Sequence, residues 1–556
     1  MATQAHTTHW KARWSRPPPR PSAGTHAQPY RRRRPEATTL HRIVREHLET
    51  YLALGNESDP MGDGVPDHVE KEFRSYLTCG ILAHGFARAR CSRCGYDFLV
   101  AFSCKGRGAC PSCNAKRMAE TAAHLVDHVF PHVPVRQWVL SVPKRLRPFL
   151  HHRPRTASAV LHILLRALQA TLREACPTTP RTASFGAVSF LHRFGSSLNP
   201  HFHYHICVVD GLFEKVEEES DQIPPGPASR LRFHEATALS PKLLERLQHT
   251  IRSRVLRHFR RHSLLEPHEA KDMLSWDHGG GFSLDASVRI EATDREGLER
   301  LIRYCARPPF ALERLHLVRD RSDQILYLLP KPDPAGRTAL RLSALEFLDR
   351  LATILPPPRI HRHRYHGVFA PNAPLRPLVT ARTQEDNALV AQVSGSGLSL
   401  PTTPAVSVPK SEAAPPQPTC ATPSRPSRWA ALLARIYEVF PLTCPTCQAP
   451  LTFIAFLSDP EPIAQILAHI GEPTSPPLLH PARGPPQTEL AMGTGRGKHH
   501  EVAQGFFPDD LDQTPDFDPA DPEPIPEDPF GRVEPERRGC RSGQSVSSPF
   551  PLGVPQ

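Results

Sequence analysis

The sequence lacks any apolar run of the roughly 18 residues that would span a bilayer, and its arginine-rich N-terminus lacks the apolar core of a signal peptide. We therefore expect a cytoplasmic protein with no membrane partner. There is no internal repeat, and hydrophobic residues make up only 39% of the 556-residue chain. This fraction is low for a fully globular chain because the sequence contains 63 prolines, many of them in the two tails and one linker. Two to four folded units joined by unstructured stretches are expected.

The charge of the chain points to its class of partner. The formal net charge is +12 with an isoelectric point near 9.2, and much of the excess is arginine in clusters. This balance favours a polyanionic partner, nucleic acid before a membrane surface. In a cytosolic protein the 13 cysteines are better interpreted as metal ligands and buried thiols than as disulfides.

The densest cysteine region contains two Cys-x-x-Cys knuckles. They are Cys91/Cys94 and Cys110/Cys113, with 15 residues between them. Four thiolates at this spacing predict one tetrahedral Zn²⁺ in a structural ribbon, since a closed Cys₄ site leaves no position for a substrate. Two further cysteines, Cys79 and Cys104, are candidates for a second site or for buried thiols. A lone knuckle, Cys444/Cys447, supplies half a zinc site.

A histidine-rich stretch at residues 199–211 predicts a strand, because it contains aromatic and β-branched residues and ends in an Asp-Gly turn signal. Side chains on a strand alternate between faces, so His203 and His205 should point the same way, with His201 behind them. Two imidazoles on one face can hold a divalent metal and leave its other positions open. The alternative is a histidine-rich surface strand, but the apolar residues 206–209 favour a core strand.

The remaining patterns predict mixed helices and strands. Helices are predicted at 39–54, 157–176, 241–261, 343–355 and 430–440, strands at 137–142, 185–191, 282–290 and 325–329, and a surface loop at 214–230. The short loop between 185–191 and the histidine strand predicts an antiparallel pair. Residues 356–367 are interpreted as a Pro/Arg/His segment suited to phosphate contacts.

A further helix is predicted to begin with a capping box formed by Thr293 and Glu296 and to end before Pro308. Its apolar face contains Leu298, Leu301, Ile302 and Cys305. The opposite side contains three candidate DNA-phosphate contacts, Arg300, Arg303 and Arg307. Tyr304 lies on the border between the two faces.

The order of zinc ribbon, His-aromatic-His strand and helix with one tyrosine resembles the rolling-circle (HUH) transposases of the insertion-sequence-ninety-one family. The resemblance covers about 34–375. The motifs that carry it are Cys91-Ser-Arg-Cys94-Gly95, Phe102-Ser-Cys-Lys105, Cys110-Pro-Ser-Cys113, Arg193-Phe-Gly-Ser-Ser-Leu-Asn199, His203-Tyr-His205, Asp210-Gly211 and Arg303-Tyr-Cys-Ala-Arg-Pro308.

The resemblance implies an α+β fold, with an HUH-type antiparallel sheet flanked by helices. It implies that His203 and His205 bind a catalytic Mg²⁺ or Mn²⁺, in addition to the structural Zn²⁺. Tyr304 would attack the scissile phosphate and leave a 5′-phosphotyrosine and a free 3′-hydroxyl. The partners would be single-stranded DNA ends of a mobile element and target DNA, with no small-molecule cofactor beyond metals, in a bacterial, nucleoid-associated enzyme.

Two departures from the family pattern concern the tyrosines and the metal ligands. Many relatives carry a second tyrosine four residues earlier, where this chain has Arg300, so a single-tyrosine enzyme is expected. His201 and Glu299 are the candidates for a third metal ligand. Among the other tyrosines Tyr365 is the rival nucleophile, because arginines and histidines surround it in sequence.

The expected domain organisation follows from these features. The units are a disordered basic N-terminus (1–38), a helix and zinc ribbon (39–132), the catalytic domain (133–378), a Pro/Ser/Thr-rich linker (379–428), a small module with one knuckle (429–485) and a disordered acidic tail (486–556). A replication initiator or relaxase would share the chemistry. A non-catalytic zinc-dependent DNA-binding protein would need neither Tyr304 nor His203, and a metal hydrolase would need a further carboxylate near the histidines.

Overall fold

The computed structural model describes residues 33–58, 64–216, 230–237, 239–318, 321–333, 335–395, 444 and 446–484. The predictions for residues 1–32, for most of the linker, for the helix at 430–440 and for the tail from 486 lie outside these residues. Of the helices within these ranges, none is both long enough and apolar enough to cross a membrane.

The N-terminal part consists of helices around a β-hairpin. In chain order the elements are α1 (Thr39–Ser58), α2 (Asp67–Thr78), β1 (Phe86–Cys91), β2 (Asp97–Ala101) and α3 (Pro111–His128). One side of α1 faces the core, since Leu40, Val44 and Leu48 have no exposed surface. The helix predicted at 39–54 is confirmed and extends to Ser58.

The centre of the molecule is an antiparallel sheet between two layers of helices. Its part of the chain contains β3 (Val135–Ser141), α4 (Arg147–His152), α5 (Pro154–Ala175), β4 (Gly186–Phe194), β5 (Pro200–Val209), β6 (Gly211–Lys215), β7 (Leu231–Glu235), α6 (Pro241–Arg261), α7 (Pro267–Ser275), β8 (Ser283–Asp285), β9 (Arg289–Ile290) and α8 (Arg295–Ala306). The later elements are β10 (Leu315–Val318), β11 (Arg321–Leu328), β12 (Ala339–Ser343), α9 (Ala344–Ile354), β13 (His363–Gly367), α10 (Arg376–Gly395), β14 (Leu451–Leu457) and α11 (Pro460–His469).

The strand order of the central sheet is β13-β4-β5-β3-β8, with β9 also beside β3. Each neighbouring pair is antiparallel, including the predicted pair β4–β5. Three smaller sheets have the orders β14-β1-β2, β10-β11-β12 and β6-β7. The predicted α+β class is confirmed.

Alternation along β5 separates two cores. Tyr204 and Ile206 pack on one face of the sheet with the apolar sides of α5 and α6. Cys207 and Val209 pack on the other face with α3 and α8. Because the side chains of a strand alternate, the odd-numbered histidines of β5 share the face that α8 covers.

Two predicted strand and loop assignments are wrong in detail. The strand expected at 282–290 is divided into β8 and β9, which pair with different parts of β3. Residues 214 and 215, expected in a surface loop, instead complete β6 and pair with β7.

The segment expected as a Pro/Arg/His loop ends in a strand instead. Residues 363–367 form β13, the edge strand beside β4, with Tyr365 opposite Val188. The linker expected from residue 379 begins as the helix α10. Val379 and Thr383 are fully buried there, and the hydroxyl of Thr383 donates to the carbonyl oxygen of Val129. Contacts with α3 therefore extend the folded part of the chain to Gly395.

Candidate functional site

The strand β5 presents its histidines as the alternation predicts. His201, His203 and His205 are all at most 5% exposed, and the rings of His203 and His205 have centroids 4.9 Å apart. Tyr204 points to the opposite face, where its hydroxyl donates to the carbonyl oxygen of Ala157 at 2.8 Å. The intervening tyrosine therefore packs in the core away from the histidines.

A third histidine completes the cluster from the neighbouring strand. His192 of β4 lies opposite His203 in the antiparallel register. The ligand nitrogens of His192, His203 and His205 all lie within 4.8 Å of one another, and all three side chains are buried. Sequence reasoning missed His192, which the register between β4 and β5 brings to this cluster.

The two earlier candidates for the third ligand lie elsewhere. His201 contacts His203, with ring centroids 4.7 Å apart, but is not part of the group of three. Glu299 accepts a hydrogen bond from Arg303 at 2.7 Å on α8. Unlike either of them, His192 places a ring nitrogen within 4.8 Å of those of both His203 and His205.

Hydrogen bonds orient the three imidazoles. Nε2 of His192 lies 2.8 Å from the carbonyl oxygen of Cys305, and Nδ1 of His203 lies 3.1 Å from that of His201. A carbonyl only accepts, so these nitrogens carry the protons and the other ring nitrogens are left to a metal. Nδ1 of His205 lies 2.9 Å from the side-chain amide of Gln137; with the amide turned so that its oxygen faces the ring, Nδ1 donates and Nε2 is left to a metal.

The unused nitrogens and the protonation state suit a metal ion. Nδ1 of His192 and Nε2 of His205 are buried without a hydrogen-bond partner among the described residues. Burial, followed by the neighbouring histidines, holds the pKa of both His192 and His205 well below the ordinary value. Both imidazoles are therefore neutral near pH 7, which is the form that binds metals.

Helix α8 brings the predicted tyrosine to this cluster. Its N-cap is Asp294, whose side chain accepts from the backbone N–H of Gly297 at 2.7 Å, so the predicted Thr293/Glu296 capping box is wrong. The apolar face is buried as predicted and packs under the sheet. This packing places the ring of Tyr304 5.5 Å from that of His205, centroid to centroid.

The three candidate DNA-phosphate contacts, Arg300 and Arg303 of α8 and Arg307 at its C-cap, have different surroundings. The exposed Arg300 lies 3.8 Å from Glu296 and 3.9 Å from Asp294, and Arg303 pairs with Glu299. Arg307 instead lies over the ring of Tyr304, with its guanidinium carbon 4.9 Å from the centroid. It is the arginine of this group that shares the site with Tyr304.

A basic pocket opens beside His192 and Arg307. Its cationic lining comes from four further arginines, Arg107, Arg117, Arg193 and Arg362. Several of these guanidinium groups donate to neutral oxygens: Arg193 to the carbonyl of His151 and Arg362 to the side chain of Asn114. Burial lowers the pKa of Arg193 and of Arg362 to about 10, because their charges lose hydration.

The cysteines form two clusters where the sequence predicted one. Cys79, Cys104, Cys110 and Cys113 make the first group, with three Sγ–Sγ distances of 3.6 Å. Cys91 and Cys94 join Cys444 and Cys447 in the second. The predicted ligand set of Cys91, Cys94, Cys110 and Cys113 is therefore wrong.

The hairpin geometry explains this division. Cys91 and Cys94 lie at the turn between β1 and β2, whereas Cys79 and Cys104 lie beyond the open end of the same hairpin. The six residues of β1 separate the two ends by about 20 Å. Cys110 and Cys113, at the start of α3, lie at the open end.

Two protein families match the chain. One is described as a transposase zinc-binding domain and matches residues 43–142, which contain the whole first cysteine cluster. The other is described as a putative transposase and matches residues 186–375, which contain His192, His203, His205 and Tyr304. Neither the curated proteins nor the solved structures gave a significant match. With a zinc-binding domain followed by a transposase domain, the chain belongs to the transposases of the insertion-sequence-ninety-one family.

Proposed function

We propose that this transposase nicks and joins single-stranded DNA at the ends of a mobile element, with Tyr304 as the nucleophile. A divalent ion would be held by His192, His203 and His205. The observation that carries the proposal is the ring of Tyr304 lying 5.5 Å from that of His205. A nucleophile beside a cluster of metal ligands is the arrangement that attack on a phosphate requires.

The chemistry balances without an external energy source. When bound, the ion would polarise the scissile phosphate and offset the charge developing on its oxygens. The phenolic oxygen of Tyr304 attacks phosphorus while the phenolic proton goes to solvent. The bond from phosphorus to the 3′-oxygen breaks, the 3′-oxygen takes up a proton, and the 5′-phosphate stays on Tyr304. Attack by a DNA 3′-hydroxyl reverses the step and joins strands.

The ligand set favours Mn²⁺ over Mg²⁺ as the catalytic ion. Mg²⁺ prefers oxygen ligands and gives up its bound water reluctantly, whereas neutral imidazoles suit first-row transition metals. The three ligand side chains are all histidines. We expect Mg²⁺ to support the reaction less well than Mn²⁺ at equal concentration.

The basic pocket is the proposed path of the DNA backbone. Among the described residues, the buried Arg193 and the half-buried Arg362 donate to neutral oxygens, so their charges are poorly compensated by the protein. A DNA phosphate would supply that compensation. The pocket is bordered by His192 and Arg307, so a strand lying in it would reach the histidine cluster.

One tyrosine implies one covalent link at a time. The position four residues before Tyr304 is Arg300, an exposed residue near Asp294 and Glu296. Cleavage of the two element ends would therefore be sequential on one subunit.

The test is to map the covalent adduct. Protein incubated with Mn²⁺ and labelled single-stranded element ends should form an adduct that survives denaturation, and mass spectrometry should place the nucleotide on Tyr304. Tyr304→Phe should abolish the adduct and retain DNA binding. Tyr365→Phe is the matched control, because this tyrosine also has an arginine over its ring, Arg376 at 5.2 Å, but lies on β13.

A nucleotide on Tyr365 would overturn the assignment of the nucleophile. DNA binding without any adduct, in the presence of either ion, would favour a non-catalytic DNA-binding protein instead.

A further inference from the structure

The second cysteine cluster has the dimensions of a metal site. Sγ of Cys91 lies 3.4 Å from that of Cys447, and Sγ of Cys94 lies 3.5 Å from that of Cys444. Four thiolates around Zn²⁺, with Zn–S bonds of about 2.3 Å, are separated by about 3.8 Å along each edge of the tetrahedron. The four sulfurs are thus arranged around one point and not in two bonded pairs.

The two knuckles share one backbone conformation, although about 350 residues separate them. The N–H of the first cysteine donates to the carbonyl five residues on, Cys91 to Tyr96 and Cys444 to Ala449. In each knuckle the residue after the second cysteine donates its N–H to the carbonyl oxygen of the first cysteine. These bonds run from Gly95 to Cys91 and from Gln448 to Cys444.

The left-handed backbone at the end of each knuckle supports the same conclusion. Gly95 has φ of 74° and Gln448 has φ of 59°, so each chain turns back at the equivalent position. Only the first knuckle has the glycine that adopts this conformation at no steric cost. In both knuckles the backbone N–H of the second cysteine also donates to the sulfur of the first. The donors are Cys94 to Cys91 and Cys447 to Cys444.

The segment that carries the second knuckle shares a small core with the N-terminal hairpin. Strand β14 pairs with β1 from Phe86–Leu457 to Cys91–Leu451. Its burial rests on few side chains, chiefly Leu451, Ile463 and Leu467, while Phe453 is 54% exposed. A unit of this size generally needs a metal or a disulfide for stability.

We propose that Cys91, Cys94, Cys444 and Cys447 bind a second structural Zn²⁺, which fastens residues 444–484 to the N-terminal hairpin. The matched zinc-binding domain ends at residue 142, so it contains only half of this ligand set. The ion joins the two ends of the folded chain across the catalytic domain. This inference does not depend on the proposed chemistry of Tyr304.

Zinc counting on the full-length protein tests the shared site. Cys444→Ser/Cys447→Ser should lose one zinc per chain relative to the wild type, and Cys91→Ser/Cys94→Ser should lose the same one. The quadruple variant should lose no more than either double variant. Cys176→Ser, a buried thiol outside both clusters, is the control and should lose none. Unchanged zinc in either double variant, or a loss of two in the quadruple variant, would overturn the proposal.

A second measurement needs no cysteine variant. A specific protease site inserted between residues 395 and 444 allows the full-length protein to be cut after folding. The C-terminal fragment should remain bound on a sizing column and be released when a strong chelator removes zinc. Release of the C-terminal fragment in the presence of zinc, or its retention after zinc is removed, would contradict the proposal that zinc holds the two segments together.

Discussion

At the scale of the residue, His192 is the most informative side chain of the site. Its ring is 4.3 Å from that of His205, centroid to centroid, and its Nδ1 is buried without a partner in the described part of the chain. If it is a metal ligand, His192→Ala should be as damaging as His203→Ala or His205→Ala. We expect at least about a 100-fold loss of Mn²⁺ affinity and of cleavage, with DNA binding retained.

Titration calorimetry with Mn²⁺ provides a readout independent of turnover. His201→Ala is the matched control, since this buried histidine contacts His203 from outside the group of three. Normal Mn²⁺ binding by His192→Ala, together with loss of Mn²⁺ binding in His201→Ala, would identify His201 and not His192 as the third ligand.

The sequence predicted part of this site for a definite reason. Alternation along a single strand is a local property, so His203 and His205 were identifiable together. His192 was not, because its partnership depends on the register of β4 against β5, which the turn between them sets. The same limit applies to cysteines, where two local knuckles suggested one site and the hairpin places them apart.

At the scale of the element, strand β13 introduces a sensitivity to acid. Burial lowers the pKa of both His363 and His366 to about 4, and Nε2 of His366 lies 2.8 Å from the hydroxyl of Ser189 on β4. Their folded-state pKa lies below the unfolded value of about 6.5. The stability that they contribute is therefore present above pH 6.5 and is lost as pH falls from 6.5 to 4.

Each of these histidines can cost at most about 1.4 kcal/mol of unfolding free energy per pH unit in that window. Chemical denaturation at several pH values should show a shallower acid slope for His363→Gln/His366→Gln than for the wild type. His268→Gln, on the exposed surface of α7, should keep the wild-type slope. An unchanged slope in the double variant would refute the assignment.

The elements themselves were predicted more securely than their partners. Helix α6 runs from Pro241 to Arg261 as predicted, and the four predicted apolar residues of α8 are all buried. Residues 363–367 were not identified as a strand because β13 is defined by pairing with β4. An edge strand with no apolar alternation carries little signal of its own.

At the scale of the whole molecule, the net charge of +12 should make DNA binding strongly dependent on salt. Each phosphate contact to a single strand contributes about 0.7 to the slope of log affinity against log salt. Arg362→Gln should weaken binding and reduce the slope by about that amount. Its matched control is Arg257→Gln on α6, which packs against the opposite face of the sheet.

Fluorescence anisotropy with a labelled single strand at several salt concentrations measures both slopes. A thermal melt should first establish that the glutamine variant is folded, because Arg362 also donates to Asn114. Equal slopes for Arg362→Gln and the wild type would place the DNA outside the basic pocket.

The pairing of β14 with β1 also sets an order of events during synthesis. Cys447 follows Cys91 by 356 residues, so at about 5–20 residues per second the ribosome delivers β14 on the order of 20–70 s after β1. Until then β1 has a partner only in β2 and is an edge strand with unpaired backbone groups. A transcript cut short before this segment would therefore yield a chain with an open sheet edge, which is prone to aggregation and to degradation by cellular proteases.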